Sequence, residues 1–232
     1  MISIENISKS FGKQEVLKNI SVRMNSNECI ALIGPNGSGK TTLIKSILGM
    51  VPVVKGSIQI DNNSIKDNYQ YRELIGYMPQ IGRYPDNMNI GQVIRLMKDI
   101  RGNQSTIDET LIDDFNLREM YSKKMSTLSG GTRQKVSACI AFLFNPQILI
   151  LDEPTAGLDP LSSEILKNKI LVEKEKGKLI IITSHVLSEL EDMITRVIYM
   201  QDGNIRIDAS LNELLQQTGE NKLGKIISKA LN

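Results

Sequence analysis

Residues 34–41 read GPNGSGKT, a glycine-rich stretch that ends in a lysine and a threonine. The stretch fits G-x-x-x-x-G-K-[ST], and the apolar run before it and the amphipathic run after it predict a strand and a helix. Glycines let backbone N–H groups face phosphate oxygens, Lys40 can reach the β and γ phosphates, and the Thr41 hydroxyl suits Mg²⁺. An accidental glycine-rich turn is the weaker interpretation, because four specified positions fall in the right context. The stretch predicts a site for a nucleoside triphosphate.

A pair of carboxylates, Asp152 and Glu153, ends the mostly apolar run ILILDEP at residues 148–154. In α/β sheets, ligands bind beyond the carboxyl ends of the strands, so we expect both side chains at the ligand-binding edge. There Asp152 would hold a water of Mg²⁺, and Glu153 would orient an attacking water and accept its proton. Solvated charge or a helix cap is the alternative. The phosphate-binding stretch in the same chain favours the catalytic interpretation.

His185 is the only histidine, and it follows the apolar run LIIITS. A lone histidine is usually a structural residue, and the sequence leaves that alternative open. This one, however, follows a predicted buried strand at its carboxyl end, the same edge as the two motifs above. There an imidazole can hydrogen-bond a γ-phosphate and respond to its loss.

Residues 128–135 read LSGGTRQK and contain neither a nucleophile nor a metal-binding cluster. Ser129 can cap the helix that follows, and Gly130 and Gly131 expose its first N–H groups, which makes a second anion-binding surface. This surface lies far along the chain from the phosphate-binding stretch. Two copies packed head to tail would solve the spatial problem, because each would complete the other's nucleotide site.

The elements that position these motifs follow from periodicity. Alternation of period 2 predicts strands, almost wholly apolar runs predict strands of a parallel sheet, and period 3.6 predicts helices. The predicted strands are residues 1–24 with a turn at 11–13, 29–33, 56–61 and 74–78 around a turn at 61–63, 148–152 and 179–183. The predicted helical segments are 40–48, an insertion over 85–124, 134–144, and one or two short helices in 211–232. Strands that alternate with helices indicate a doubly wound α/β core.

Composition narrows the class of protein. The chain has 232 residues, 41% of them hydrophobic, and a net charge of +2, which is ordinary for a globular protein and argues against a nucleic-acid partner. No apolar run approaches the ~20 residues that cross a bilayer, and residues 1–30 lack the features of a signal peptide. We therefore expect a cytoplasmic protein. Cys29 and Cys139 are expected to be buried, reduced thiols.

Taken together, the motifs resemble the ATP-binding cassette (ABC) ATPases, the nucleotide-binding domains of ABC transporters. The matching segments are GPNGSGKT at 34–41, Gln80 after YMP, LSGG at 128–131, ILILDEP at 148–154, GLDP at 157–160, and His185. Their order and separation match to about Gly203. The resemblance implies a P-loop NTPase core with a mostly parallel sheet, an N-terminal antiparallel β subdomain and a helical subdomain. An ATPase domain would span 1–210, with the helical subdomain inserted at about 85–145, and a helical tail would span 211–232.

The resemblance also assigns roles to residues of the nucleotide site. Glu153 would be the catalytic base, His185 the switch, and Gln80 would reach Mg²⁺ and the attacking water and report to a membrane partner. Mg²⁺ would be held by Thr41, Gln80 and Asp152. The implied ATP contacts in the same chain are Phe11, Gly34, Pro35, Asn36, Gly37, Ser38, Gly39, Lys40, Thr41 and Thr42.

Three further assignments concern the second copy and the adenine. Ser129, Gly130 and Gly131 would bind the γ-phosphate in trans, and Asp159 would lie at the dimer seam. Phe11 would stack on adenine, with a core aromatic beside a turn as the alternative. The chain departs from the common pattern at Thr132, where the family often has glutamine, and at Phe11, where it often has tyrosine. Both are tolerable, because stacking needs only a ring and the anion contacts come from Ser129 and the backbone.

The function implied is an ATP-hydrolysing subunit, of the exporter type, that drives transport through separate integral membrane permease subunits. It would form a homodimer in the ATP state and lie on the inner face of the cell membrane. The alternatives are a soluble ABC ATPase in translation or DNA repair, and a regulator that binds nucleotide without turnover. The sequence does not identify the transported substrate. The basic, amphipathic tail segment NKLGKIISKAL would either touch a membrane surface or, as we favour, pack on its own domain.

Overall fold

The computed structural model describes residues 1–66, 68–102 and 106–231. The strands are β1 (Ile2–Phe11), β2 (Gln14–Met24), β3 (Cys29–Ile33), β4 (Lys55–Ile60), β5 (Asn63–Ser64), β6 (Ile75–Met78), β7 (Ile148–Asp152), β8 (Leu179–Thr183), β9 (Arg196–Gln201) and β10 (Asn204–Ser210). The α-helices are α1 (Lys40–Ile47), α2 (Ile90–Arg101), α3 (Thr110–Asp114), α4 (Gly130–Phe142), α5 (Pro160–Glu175), α6 (Leu211–Thr218) and α7 (Leu223–Ala230). Short 3₁₀ helices lie at Gln70–Leu74, Leu117–Met120, Met125–Thr127 and Leu187–Glu189.

The strands form two sheets. A four-stranded sheet has the order β2-β1-β4-β5, and its pairs are antiparallel. A six-stranded sheet has the order β10-β9-β3-β8-β7-β6 and is parallel except for the β9–β10 hairpin at one edge. The predicted α/β class, with a mostly parallel sheet and an N-terminal antiparallel part, is confirmed. Strands β9 and β10 were not anticipated from the sequence.

The six-stranded sheet divides the apolar interior into two cores. On β3, Ile30 and Leu32 face a core shared with the antiparallel sheet and α1, whereas Ala31 and Ile33 face a core built mainly from helices. Strands β7 and β8 alternate in the same way. Every residue of β3, β7 and β8 is therefore buried, which explains why these strands read as continuous apolar runs.

The prediction that residues 56–61 and 74–78 form strands around one turn is wrong in its pairing. Asp61 and Asn62 adopt positive φ angles of 48° and 62° and form a tight hairpin from β4 to β5. Strand β6 belongs instead to the other sheet, where it pairs with β7. The 3₁₀ helix Gln70–Leu74 leads into it.

The periodicity predicts where helices occur more accurately than it predicts the residues at which they begin. Ile90, Val93 and Ile94 recur at helical spacing in the predicted insertion, and all three are buried on α2. Helix α4 begins at Gly130 rather than at residue 134, because the Ser129 side chain accepts a hydrogen bond from the N–H of Thr132 and caps it. The apolar pattern starts later than the capped helix, so periodicity alone placed the start too late.

The tail forms α6 and α7, as predicted, and packs on the rest of the chain. Leu223, Ile226 and Ile227 of α7 are buried in the helix-lined core. The N–H of Leu223 donates to the Glu191 carboxylate, in the segment that follows His185. The apolar face of this amphipathic segment is therefore covered by its own domain. Within the described ranges, no helix has both the length and the apolar character that a membrane crossing requires.

Candidate nucleotide-binding site

A cleft of about 380 Å³ opens beyond the carboxyl ends of β3, β7 and β8. It is lined by Val16, Asn36, Gly37, Ser38, Gly39, Lys40, Thr41, Thr42, Gln80, Asp152, Glu153, Thr183 and His185. The fold thus brings together three motifs that lie far apart in the sequence. Val16 and Thr183 were not among the predicted site residues. The predicted residues that do not line this cleft are Gly34, Pro35, Phe11, Ser129, Gly130, Gly131 and Asp159.

The backbone of the loop before α1 requires glycine at two positions. Gly34 has φ 144°, and a Cβ there would lie 2.0 Å from the Met200 carbonyl oxygen. Gly39 has φ 106°, and its Cβ would lie 2.9 Å from the Val16 carbonyl oxygen. A side chain at either position would clash with main-chain atoms, so the loop could not keep its path. That path brings the N-terminus of α1 to the cleft, with the positive end of the helix dipole facing it.

The Lys40 ammonium group lies against the loop that precedes it. Its Nζ donates to the carbonyl oxygens of Gly34, at 2.7 Å, and Pro35, at 3.1 Å. Burial lowers the pKa of Lys40, while the charges of Glu153 and Asp152 act in the opposite direction without cancelling it. The lysine therefore stands between the loop carbonyls and the two carboxylates of the cleft.

Asp152 and Glu153 are both largely buried at the end of β7, and Thr183 connects them. The Thr183 hydroxyl donates to Asp152 Oδ1 at 2.5 Å and accepts from the Glu153 N–H at 3.0 Å. Glu153 has φ 52°, which a non-glycine residue rarely adopts, and its N–H also reaches the Thr183 carbonyl. Thr183 lies opposite Asp152 in the β7–β8 register. The linking role of Thr183 could have been recognised only from the pairing of β7 with β8.

His185 contacts Glu153 through both its main chain and its side chain. Its N–H donates to Glu153 Oε2 at 3.3 Å, and its Nε2 lies 3.5 Å from Glu153 Oε1. The imidazole remains 54% exposed to the cleft and solvent. It is therefore not a buried structural histidine, and it is available to a ligand.

Ser129 and Gly130 lie at the exposed N-terminus of α4, away from the cleft. Gly131 packs closely on the segment after β7, since a Cβ there would lie 2.7 Å from the Gly157 carbonyl oxygen. The carboxylate of Asp159 caps α5 by accepting from the Ser162 N–H at 2.9 Å. It also pairs with Lys135 of α4 at 3.0 Å.

Phe11 ends β1 and is 51% exposed, and the Lys9 ammonium lies 5.1 Å from its ring centre. The interpretation of Phe11 as a core aromatic is therefore wrong. An exposed ring beside the turn at Gly12 and Lys13 is free to stack on a planar ligand.

Comparisons with known proteins identify the family. A family model described as "ABC transporter" matches residues 17–156. The chain is 34% identical over 227 residues to an uncharacterized ABC transporter ATP-binding protein, YxlF, of Bacillus subtilis, covering 95% of this chain and 75% of the relative. It is also 34% identical over 214 residues to the lipopolysaccharide export system ATP-binding protein LptB of Haemophilus influenzae, covering 88% of each. The chain belongs to the ABC transporter family.

The solved structures agree with this membership. The structure of an ATP-binding subunit of an ABC transporter superposes with a TM-score of 0.92 at 27% identity, over 100% of both chains. The antiparallel sheet, the mostly parallel sheet and the helices of this protein thus have the arrangement of an ABC ATPase cassette. The chain is the ATP-binding subunit of an ABC transporter, and it is an ATPase.

Proposed function

We propose that two copies of this chain pack head to tail around two ATP molecules and that hydrolysis reopens the dimer to drive export through separate membrane subunits. One observation carries the proposal. The phosphate-binding loop, Asp152, Glu153 and His185 share one cleft, whereas the N-terminus of α4 exposes a second anion-binding surface outside it. A head-to-tail dimer brings the second surface to the first cleft.

The phosphates of ATP fit the loop at 34–42. Backbone N–H groups at the N-terminus of α1 face the anion, and the Lys40 ammonium would exchange its two loop carbonyls for phosphate oxygens. Phe11 would stack on the adenine from its exposed position at the end of β1. Val16 lies between Phe11 and the loop at 34–42 in the sequence, and it lines the cleft.

The side chains present in the cleft fit a Mg²⁺ ion. Thr41, Gln80 and Asp152 all line it, and each offers an oxygen, the ligand type that Mg²⁺ prefers. The described residues hold no cluster of three or more histidine, cysteine or carboxylate side chains that could bind a metal. An ion here would therefore be shared with the phosphates, and it would neutralise charge on them. Asp152 is held for this role by the Thr183 hydroxyl.

Glu153 is the proposed base for hydrolysis. Its carboxylate is largely buried, lies in the cleft with Lys40, and is fixed on one side by the N–H of His185. A carboxylate held in this way can orient a water toward the γ-phosphate and accept its proton. His185, beside it, would contact the γ-phosphate and signal its loss, and Gln80 would contact the attacking water.

The LSGG end of α4 is the proposed trans contact. Ser129, Gly130 and Gly131 would bind the γ-phosphate held by the second copy, with Asp159 at the seam between the copies. Asp159 is suited to a fixed position there because its carboxylate is held by both Ser162 and Lys135. Closing and opening of the dimer would then be a two-state change biased by one phosphate group.

Export through integral membrane permease subunits is the direction we propose. The similarity to an ATP-binding protein of an export system, over 88% of each chain, supports it. The protein would then lie on the inner face of the membrane, attached through those subunits. A soluble role in translation or DNA repair was the alternative at the level of sequence, and no contact in the cleft favours it.

A Glu153→Gln substitution tests this proposal. Removing the base should lower ATP turnover by about 10²–10⁴-fold while ATP still binds, since the amide keeps the shape of the side chain. We expect gel filtration with ATP to show a stable dimer. Glu175→Gln, at an exposed position of α5, is the matched control and should retain turnover. A Glu153→Gln protein that binds ATP but remains monomeric would contradict the head-to-tail dimer.

The membrane subunits can be sought with the same variant. Tagged Glu153→Gln protein with ATP, captured from detergent-solubilised cells, should retain a stoichiometric multi-spanning membrane protein. Lys40→Ala protein, which should not bind ATP, serves as the reference for non-specific capture. Recovery of ribosomes or only soluble partners would contradict the transport role and favour the soluble alternative.

A further inference from the structure

Gln134 is a buried polar side chain on α4, and the roles described above do not use it. It is 5% exposed. Its Nε2 donates to the carbonyl oxygen of Glu153 at 3.2 Å and approaches that of Pro154 at 3.5 Å. A helix outside the cleft thus reaches the main chain of the proposed base.

Glu153 needs such support because its backbone is in the left-handed region, with φ 52°. A non-glycine residue stays there only when its surroundings hold it. Thr183 holds the N–H side of the residue, through its carbonyl and its hydroxyl. Gln134 holds the carbonyl side. The carboxylate therefore projects into the cleft from a main chain fixed at both ends.

Two other contacts join the same part of α4 to the segment after β7. Gly131 packs against the Gly157 carbonyl so closely that a Cβ would lie 2.7 Å from it. Lys135 pairs with Asp159 at 3.0 Å. The first turns of α4 and the segment from Glu153 to Asp159 therefore form one connected unit. A displacement of the helix end would be transmitted to Glu153.

We propose that Gln134 is a positioning residue for Glu153 of its own chain. This inference rests on the proposed function, in which the LSGG end of α4 binds the nucleotide of the second copy. Gln134 then links two events at different sites. When the second copy's nucleotide engages Ser129, α4 is fixed, and Gln134 fixes the base beside its own nucleotide. Each site becomes competent because the other is occupied.

Replacement of Gln134 by methionine tests the positioning role. Methionine has a similar volume and no N–H, so packing is retained while both hydrogen bonds are lost. We expect kcat to fall about tenfold or more, with the KM and Kd for ATP within about threefold, because the residue touches neither phosphate nor adenine. Gln134→Glu, which offers acceptors to the same carbonyls at neutral pH, should show the same split if the methionine variant folds poorly.

Cys139→Ala is the matched control. Cys139 is a buried residue of the same helix, so its truncation loosens α4 without removing a contact to Glu153. It should lower thermal stability and leave kcat unchanged. A Gln134→Met protein with normal kcat, or one whose loss equals that of Cys139→Ala, would overturn the inference.

Mixed dimers with Ser129→Arg separate the inference from the proposed function. A dimer of one Ser129→Arg chain and one wild-type chain should lose turnover at both sites, because the partner's nucleotide loses its trans contact and the substituted chain's own base is no longer fixed through α4 and Gln134. A dimer of one Gln134→Met chain and one wild-type chain should keep about half of the wild-type turnover, because only the substituted chain's base is affected. If the Ser129→Arg mixed dimer also keeps about half of the turnover, the link through Gln134 is overturned. If Ser129→Arg alone leaves turnover unchanged, the proposed trans role of LSGG is what fails.

Discussion

The cleft at the end of the parallel sheet and the LSGG end of α4 are both proposed to bind an anion, but they differ in how many of their groups come from one part of the chain. The cleft gathers a loop, two carboxylates and a histidine from one chain, and these groups already contact one another. The end of α4 presents Ser129 and Gly130 on the exposed surface, outside this cleft. One region is organised by its own chain, and in the proposed dimer the other would receive its ligand from a second copy.

The difference indicates how binding and chemistry can be separated within one domain. The groups proposed to hold ATP are assembled within one chain, so affinity should depend on a single chain. In the proposed dimer the second anion-binding surface comes from the other copy, so turnover should depend on the dimer. Substitutions in the phosphate-binding loop and at the LSGG end should therefore affect different measurements.

Among the substitutions that distinguish the phosphate-binding loop from the LSGG end, the largest effect is expected at the LSGG end. Ser129→Arg places a long side chain where the second copy's phosphate should lie, so turnover should fall by about 100-fold or more. The Kd for ATP of the monomer should remain within about threefold, because Ser129 does not line the cleft. Turnover assays measure the predicted loss of activity, and calorimetry measures the Kd for ATP. Ser122→Arg adds the same charge at another exposed position and is the control. Weaker ATP binding by monomeric Ser129→Arg protein would contradict the claim that the LSGG end does not contribute to ATP binding within one chain.

Lys40→Ala should have the opposite pattern. Loss of charge-assisted hydrogen bonds to phosphate, at roughly 1.5–3 kcal/mol, corresponds to a rise in Kd of about 10- to 150-fold. Calorimetry with ATP measures it directly. Lys45→Ala, at an exposed position of the same helix, should retain affinity. Unchanged ATP binding by Lys40→Ala would mean that phosphate is not bound at this loop.

Phe11→Ala should have a smaller effect. Stacking on a base contributes about 1–3 kcal/mol, and the exposed position of this ring places the expected loss toward the lower limit, about fivefold to tenfold in Kd. Phe11→Tyr keeps a ring and should bind as the wild type does. Equal Kd values for the alanine and tyrosine variants would exclude adenine stacking by this residue.

The smallest functional effect is expected at Glu173, which lies in neither region. Burial raises the pKa of this carboxyl, but hydrogen bonds from Lys176, Lys178 and Lys169 more than offset it, and the pKa falls from 4.5 to about 2. A folded-state pKa below the unfolded value stabilises the protein above about pH 4.5, and this stability is lost as the pH falls toward 2. The shift corresponds to about 3 kcal/mol.

Denaturant unfolding of wild type and Glu173→Gln at pH 7, 4 and 3 checks this sign. The wild type should lose stability on acidification more steeply than the variant, and both should bind ATP equally at pH 7. Glu175→Gln, at an exposed position of the same helix, should keep the wild-type slope. A variant with the wild-type acid slope would show that Glu173 is not the group responsible.

Local features of the site could be predicted from the sequence, and features that depend on neighbouring strands or helices could not. The loop at 34–41 lies between one strand and one helix, so a pattern within a few residues defines it. Thr183 and Gln134 have ordinary sequence surroundings. Thr183 contacts the Asp152 carboxylate and the Glu153 N–H from a neighbouring strand, and Gln134 contacts the Glu153 main-chain carbonyl from α4. Their roles follow from the β7–β8 register and from the packing of α4, which no local pattern encodes.

For the fold as well, local patterns predict individual strands but not which strands pair. Buried strands β3, β7 and β8 were predicted within their observed bounds, because apolar runs of that length bounded by polar residues have few alternatives. Strand β6 was assigned to the wrong neighbour, since a short apolar segment carries no information about which sheet it joins. Its place beside β7 depends on contacts along the whole strand, from Ile75 with Ile148 to Met78 with Leu151.

The division of the interior by the parallel sheet also has a consequence for how such a sequence can change over time. Ile30 and Ala31 are neighbours in the chain but belong to different cores. A substitution at one must be accommodated by the antiparallel sheet and α1, and a substitution at the other by the helices. The two layers can therefore drift separately, and compensating changes along β3 should pair residues two apart rather than adjacent ones. The six-stranded sheet therefore separates two sets of core residues, and substitutions in one set do not have to be compensated in the other.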